Sequence, residues 1–107
     1  KSDVYLKAAA IHARNIAKKY NCAIIWMSQL SADAQDKVYL DQSMLEGSKT
    51  GKAAEADLML LIAKNQVTEG DDEDKQRHIN VAKNKLKGGW HGVVHCELDG
   101  GRSQYLA

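Results

Sequence analysis

Neither proline nor phenylalanine occurs among the 107 residues. The chain is nonetheless 44% hydrophobic, which argues for a folded globular chain rather than a disordered one. An excess of one charge is also missing. With 15 basic and 14 acidic side chains the formal net charge is +1, so no global field draws the chain to nucleic acid or membrane, and any anion site has to be local. Long apolar runs are absent too: "AIIWM" and "LMLLIA" are far shorter than the roughly 20 residues needed to cross a bilayer. Lys1 to Ala10 has no signal-peptide pattern, so the expected location is cytosolic, with no membrane partner. Cysteine is scarce. Cys22 and Cys96 form no CxxC pair and read as small buried residues of a reducing compartment. The four histidines, His12, His78, His91 and His95, do not complete a zinc spacing, and no metal site is expected.

What is present has a readable order. Leu6, Ala10, Ala13, Ile16, Ala17 and Tyr20 recur at helical spacing, with Lys7, Arg14, Lys18 and Lys19 on the other side, so Val4 to Tyr20 is expected to form an amphipathic helix. The continuous run "AIIWMSQ", Ala23 to Gln29, suits a parallel strand covered on both faces. Ser31 to Ser43 is polar and reads as a long loop, of the kind that is more often functional than idle. Lys49 to Glu55 is expected to be a short helix and Leu58 to Lys64 a second buried strand. The acidic run Thr68 to Asp74 reads as a solvated connection. "RHINVAK", "GVVHCEL" and "SQYLA" then read as strands joined by the turns "NKLKGGWH" and "DGG". The fold class expected is α/β, a mixed sheet ending in an antiparallel meander.

The stretch "LEGSKTGKAAEAD", Leu45 to Asp57, looks like a phosphate loop but departs from one. A genuine loop has the form G-x-x-x-x-G-K-[ST] after a buried strand. Here three residues separate Gly47 from Gly51, and Ala53 follows Lys52 where a magnesium-binding hydroxyl is required. The backbone N–H nest would be too tight and the metal would lack its ligand. The simpler local reading is a helix cap, with Ser48 capping the turn that follows.

A helix, "AIIWMSQL", a long loop, "GS" before a short helix ending in "AD", "LMLLIAKNQ" and "INVAKNKLKGG" follow one another in this order. In that order and spacing the chain resembles the later half of the RecA-like ATPase domain of DnaB-like and phage primase-helicase replicative helicases, over nearly its whole length. The resemblance implies the C-terminal half of a RecA-like P-loop ATPase core, with residues 1–107 a partial helicase domain. It implies a hexameric ring that hydrolyses ATP with Mg2+, translocates on single-stranded DNA and unwinds the duplex.

The roles implied fall on particular residues. Gln29, a polar amide closing an apolar strand, would sense the γ-phosphate, since an amide both donates to a phosphate oxygen and accepts from water. Lys64, Lys83 and Lys85 would gather at one sheet edge, if their strands are neighbours, and reach a nucleotide on the adjoining subunit. The family commonly has arginine at the Lys85 position and often at that of Lys64. Lysine is a point charge rather than a bidentate fork, so Lys87 and Arg102 are alternative trans-acting cations, and a basic solvated turn is the simpler reading of Lys85 and Lys87. Glu46, Gly47, Ser48, Lys49 and Lys52 would line the channel and hold the phosphates of DNA through backbone amides and local charge. Asp57 is given a structural role. The phosphate loop and the magnesium-binding acidic strand end are expected to lie outside these residues, leaving this part without hydrolytic activity alone. A RecA or RadA-type recombinase and a non-catalytic binding or assembly domain are the alternatives.

Overall fold

In the computed structural model, residues 2–35, 37–44, 55–64 and 75–107 are described. Helix α1 runs Ser2–Tyr20, close to the span its spacing predicts. Ala10 is buried and Leu6, Ala13, Ile16 and Ala17 are half-buried, while Tyr20, expected on the same stripe, is exposed. Asn21 adopts a left-handed φ of 51°, and the Cys22 amide donates back to the Ala17 carbonyl at 3.1 Å. This is the six-to-one bond of a Schellman cap. Lys18 and Lys19 in the last turn complement the carbonyl end of the helix dipole.

The sheet has four strands in the order β1-β2-β3-β4: Leu58–Ala63, Gln76–Asn84, Gly92–Asp99 and Gln104–Leu106. Each pairing is antiparallel. The meander expected for the later part of the chain is therefore present, whereas the mixed sheet is not: no parallel pair occurs among the described residues. The fold is a small α/β domain built on one antiparallel sheet.

The expected strand Ala23 to Gln29 is the reason for that difference. The segment follows α1 without strand pairing and is exposed throughout, Ile25 and Met27 each to 89%. A strand covered on both faces needs neighbours in the sheet and a layer on either side. The four-stranded sheet supplies neither to this run. β1 is likewise not buried on both faces. Its burial alternates, with Met59, Leu61 and Ala63 buried and Leu58, Leu60 and Ile62 exposed, the two-residue period of an edge strand with one covered face.

That covered face carries the core. Leu40, Met59, Leu61 and Ala63 are buried together, with Leu30, Ala34, Met44, Ala56 and Ala82 packed against them. Much of the cover comes from the 31–44 segment, read as a loop and containing two short 3-10 turns, Ala32–Ala34 and Gln42–Met44. Such a segment brings backbone groups that must be satisfied, and buried Asn80 on β2 satisfies two of them. Its Oδ1 accepts from the Leu40 amide at 3.0 Å and its Nδ2 donates to the Val38 carbonyl at 2.9 Å. The segment closes on itself where the Ser31 amide donates to the Met44 carbonyl at 2.7 Å.

Between β1 and β2 the register slips. Met59 lies opposite Lys83 but Leu60 lies opposite Val81, which leaves Ala82 as an extra residue in β2. A bulge of this kind re-aims the side chains around it. The Ala82 carbonyl accepts from Gln42 Nε2 at 3.1 Å, and Lys83 is brought opposite the buried Met59.

Candidate functional site

Beyond the bulge, β2 delivers Lys83 and Lys85 to the end of the sheet where β1 begins. Strand alternation places these two cations on one side of the chain. The Lys85 amide donates to the Asp57 carbonyl at 2.8 Å, extending the β1–β2 ladder past Leu58. Arg14 reaches the same place from α1. Its Nη1 donates to Asp57 Oδ1 at 3.0 Å and to the Glu55 carbonyl at 3.1 Å, and its Nε lies 3.9 Å from Glu55 Oε2. Three cations thus meet two carboxylates, and the excess is positive.

The electrostatics follow from that arrangement. The hydrogen bond from Arg14, then the guanidinium charge, holds the Asp57 carboxyl below its ordinary value, with smaller help from Lys85 and Lys83. Burial, then the neighbouring Lys85 cation, lowers the Lys83 ammonium, with Asp57 partly offsetting both. The bulge explains the burial: it places the half-buried Lys83 beside the covered face rather than in water. A lysine in that position gains from an added anion, because its charged form is underpaid in solvation and repelled by a like charge.

The turn after Lys85 is built to hold its shape. Asn84 Oδ1 accepts from the Leu86 amide at 2.9 Å while its Nδ2 donates to the Trp90 carbonyl at 3.1 Å. Gly88 and Gly89 take φ of 95° and 53°, left-handed values that glycine adopts without a Cβ penalty. His91 Nδ1–H donates to the Gly89 carbonyl at 2.8 Å. The Trp90 indole lies against Gly92, where a Cβ would come within 2.6 Å of the ring. Lys87 and Trp90 are exposed on this turn, a cation and a flat apolar ring beside Lys85.

The other expected residues are placed differently. Because β1 and β2 run antiparallel, Ala63 pairs with His78 while Met59 pairs with Lys83. Lys64 therefore lies at the far end of the ladder, five residues beyond Met59 and about 17 Å away at the strand rise. The expectation that Lys64 gathers with Lys83 and Lys85 is corrected by that orientation. Arg102, in the β3–β4 turn, is also at the far end, with Nε 3.7 Å from Asp99 Oδ2. Gln29 is exposed in the unpaired segment after α1 rather than closing a strand. Glu46, Gly47, Ser48, Lys49 and Lys52 lie outside the described residues, as does most of the expected helix Lys49 to Glu55, of which Glu55 alone is seen as helical. Of the cysteines, Cys96 is buried as expected and Cys22 is exposed.

Arg14 was not singled out from sequence, where it is one of several cations on a helix's polar side. Only its long-range partners, Glu55 and Asp57, mark it. Lys83 carried no sign of its altered environment either, since a bulge depends on the partner strand.

Chemically the cluster can hold an anion such as a phosphate by charge and by ammonium donors. No group of three His, Cys, Asp or Glu gathers around a common point among the described residues, and both nearby carboxylates are engaged by Arg14. No described helix is long and apolar enough to cross a membrane. In comparisons with known proteins, no family model and no curated sequence matches the chain.

Proposed function

We propose that this chain is the later half of a RecA-like ATPase domain in a hexameric, ATP-driven DNA helicase, and that Lys83 and Lys85 carry positive charge to a nucleotide bound by the adjoining subunit. The observation that carries this reading is the pairing of Lys83 and Lys85 at one sheet end, with a positive excess fixed by Arg14 and Asp57. A cation supplied in trans is most useful where charge develops on the transferring phosphoryl group. Lys85 is the more exposed of the two and is assigned the contact, while half-buried Lys83 supplies charge behind it.

Gln29, exposed ahead of the 31–44 segment, is assigned to sensing the γ-phosphate, and residues 46–52 to holding single-stranded DNA. Lys64 and Arg102, at the opposite sheet end, do not share the phosphate that Lys85 reaches. The test is DNA-stimulated ATP hydrolysis by the complete protein carrying Lys85→Ala or Gln29→Ala. Loss of turnover with nucleotide binding retained is expected for both. Unchanged rates in both variants, or strand exchange without unwinding by the unmodified protein, would overturn the reading.

A further inference from the structure

At the sheet end away from the cationic cluster, His78 and His95 lie directly opposite each other on β2 and β3. Their Nδ1 atoms are 2.5 Å apart, and the rings meet edge-on, with centroids separated by 4.8 Å and planes at 81°. A contact between two ring nitrogens is attractive only when one proton lies between them. One imidazole must donate Nδ1–H and the other must present a bare Nδ1.

Burial selects which. His78 is 7% exposed, and its Nε2 is buried without a hydrogen-bond partner. A proton on that nitrogen would be a buried donor with nothing to bond, which folded proteins avoid. The His78 proton therefore belongs on Nδ1, donated to His95 Nδ1, while exposed His95 keeps its own proton on Nε2. If His95 takes up a second proton, it is placed on Nδ1, and two N–H groups then confront each other. His78 can relieve this only by moving its proton to the orphaned Nε2.

We propose that His78 and His95 form a proton-responsive latch between β2 and β3, closed when both rings are neutral and forced open when His95 is protonated. Among the described residues, no charged side chain other than Glu97 flanks the pair on this face. On the same face, Gln76 and Asn80 flank His78, Val93 and Glu97 flank His95, Ala63 lies opposite His78 on β1, and Leu106 on β4 lies opposite Glu97. Glu97 is the one carboxylate among these, and it is exposed. Lys64 follows Ala63 at the strand end, and Arg77 alternates to the other face. Burial and the His95 charge both push the His78 imidazole below its usual range. Opening separates the strands along a groove of about 390 Å³ lined by Gln76, His78, His95 and Leu106.

The sign is fixed by this geometry. His78 binds a proton less readily in the fold than in the unfolded chain, so the latch stabilises fully at pH above about 6.5, and its contribution falls as pH drops below that value. The test is urea unfolding of the chain between pH 8 and 5, alongside His95→Gln, whose amide oxygen can still accept from His78, and His91→Gln as a control. For wild type and His91→Gln the folding constant is expected to fall more steeply with acid than for His95→Gln, the excess approaching tenfold per pH unit for each proton. Nitrogen-15 NMR at pH 8 should show His78 as the Nδ1–H tautomer and His95 as Nε2–H. Equal pH slopes in wild type and His95→Gln, or a His78 proton on Nε2, would overturn the proposal.

Discussion

Arg14 and Asp57 are 43 residues apart in sequence and 3.0 Å apart in the fold, joining the last half of α1 to the start of β1. With the contacts of Arg14 to Glu55, the pair ties the helix to the sheet end that carries Lys83 and Lys85. It also makes that end acid-sensitive. Because Arg14 lowers the Asp57 pKa, the stabilisation is complete above the unfolded carboxyl value of about 3.9 and is lost as pH falls through the lower folded value. An NMR titration of the Asp57 carboxyl should show its pKa rising toward the ordinary value in Arg14→Ala. An unmoved titration would show that the guanidinium is not its partner in solution. Both groups are solvent-accessible, so the change in overall stability is expected to be small.

The 31–44 segment stays on the sheet through Asn80. Asn80→Ala leaves the Leu40 amide and the Val38 carbonyl without their partner, and removing one member of a buried hydrogen-bonded set costs about 1–3 kcal/mol. Urea unfolding should show that loss. Hydrogen exchange should speed at Leu40 before it speeds at β2 amides. Equal acceleration throughout would mean that Asn80 supports the whole sheet rather than the segment.

At Gly92 a methyl group meets the indole of Trp90 at 2.6 Å. Gly92→Ala should therefore displace Trp90 and shift its fluorescence toward that of a fully hydrated indole. The measurement is made with Trp26→Phe so that Trp90 reports alone. An unchanged spectrum would mean that the ring does not rest on the strand.

Lys83 offers a test of anion binding that does not depend on turnover. Its ammonium pKa is lowered by burial and by Lys85, so a bound polyphosphate should raise it and draw a proton from solution. Calorimetry of tripolyphosphate binding at about pH 9, in buffers of different ionisation enthalpy, should show net proton uptake in wild type and less in Lys83→Met. Binding without proton uptake in wild type would place the anion elsewhere.

How much of this was legible in the sequence differs by element. Helix α1 and the strands of the meander announce themselves because their periods are local: an i, i+3, i+4 stripe, a two-residue alternation, and turns marked by glycine. Ala23 to Gln29 misled because an apolar run says what a segment would bury but not whether a neighbour exists to bury it. Antiparallel pairing could be expected for the meander, yet its consequence for Lys64, at the opposite end of the ladder from Lys85, appears only once β1 is set against β2. The bulge at Ala82, the burial of Lys83 and the reach of Arg14 depend on two or three distant segments meeting. No single stretch of sequence encodes them.

The central assignment is that Lys85, and not a cation at the other sheet end, reaches the neighbouring subunit's nucleotide. DNA-stimulated ATPase of the complete protein should be measured for Lys85→Ala, Lys64→Ala and Arg102→Ala side by side. Removal of a trans-acting cation is expected to lower turnover by at least about 100-fold in Lys85→Ala, with Lys64→Ala and Arg102→Ala retaining rates within a few-fold of wild type. Wild-type turnover in Lys85→Ala, or its loss in Lys64→Ala or Arg102→Ala instead, would contradict the assignment.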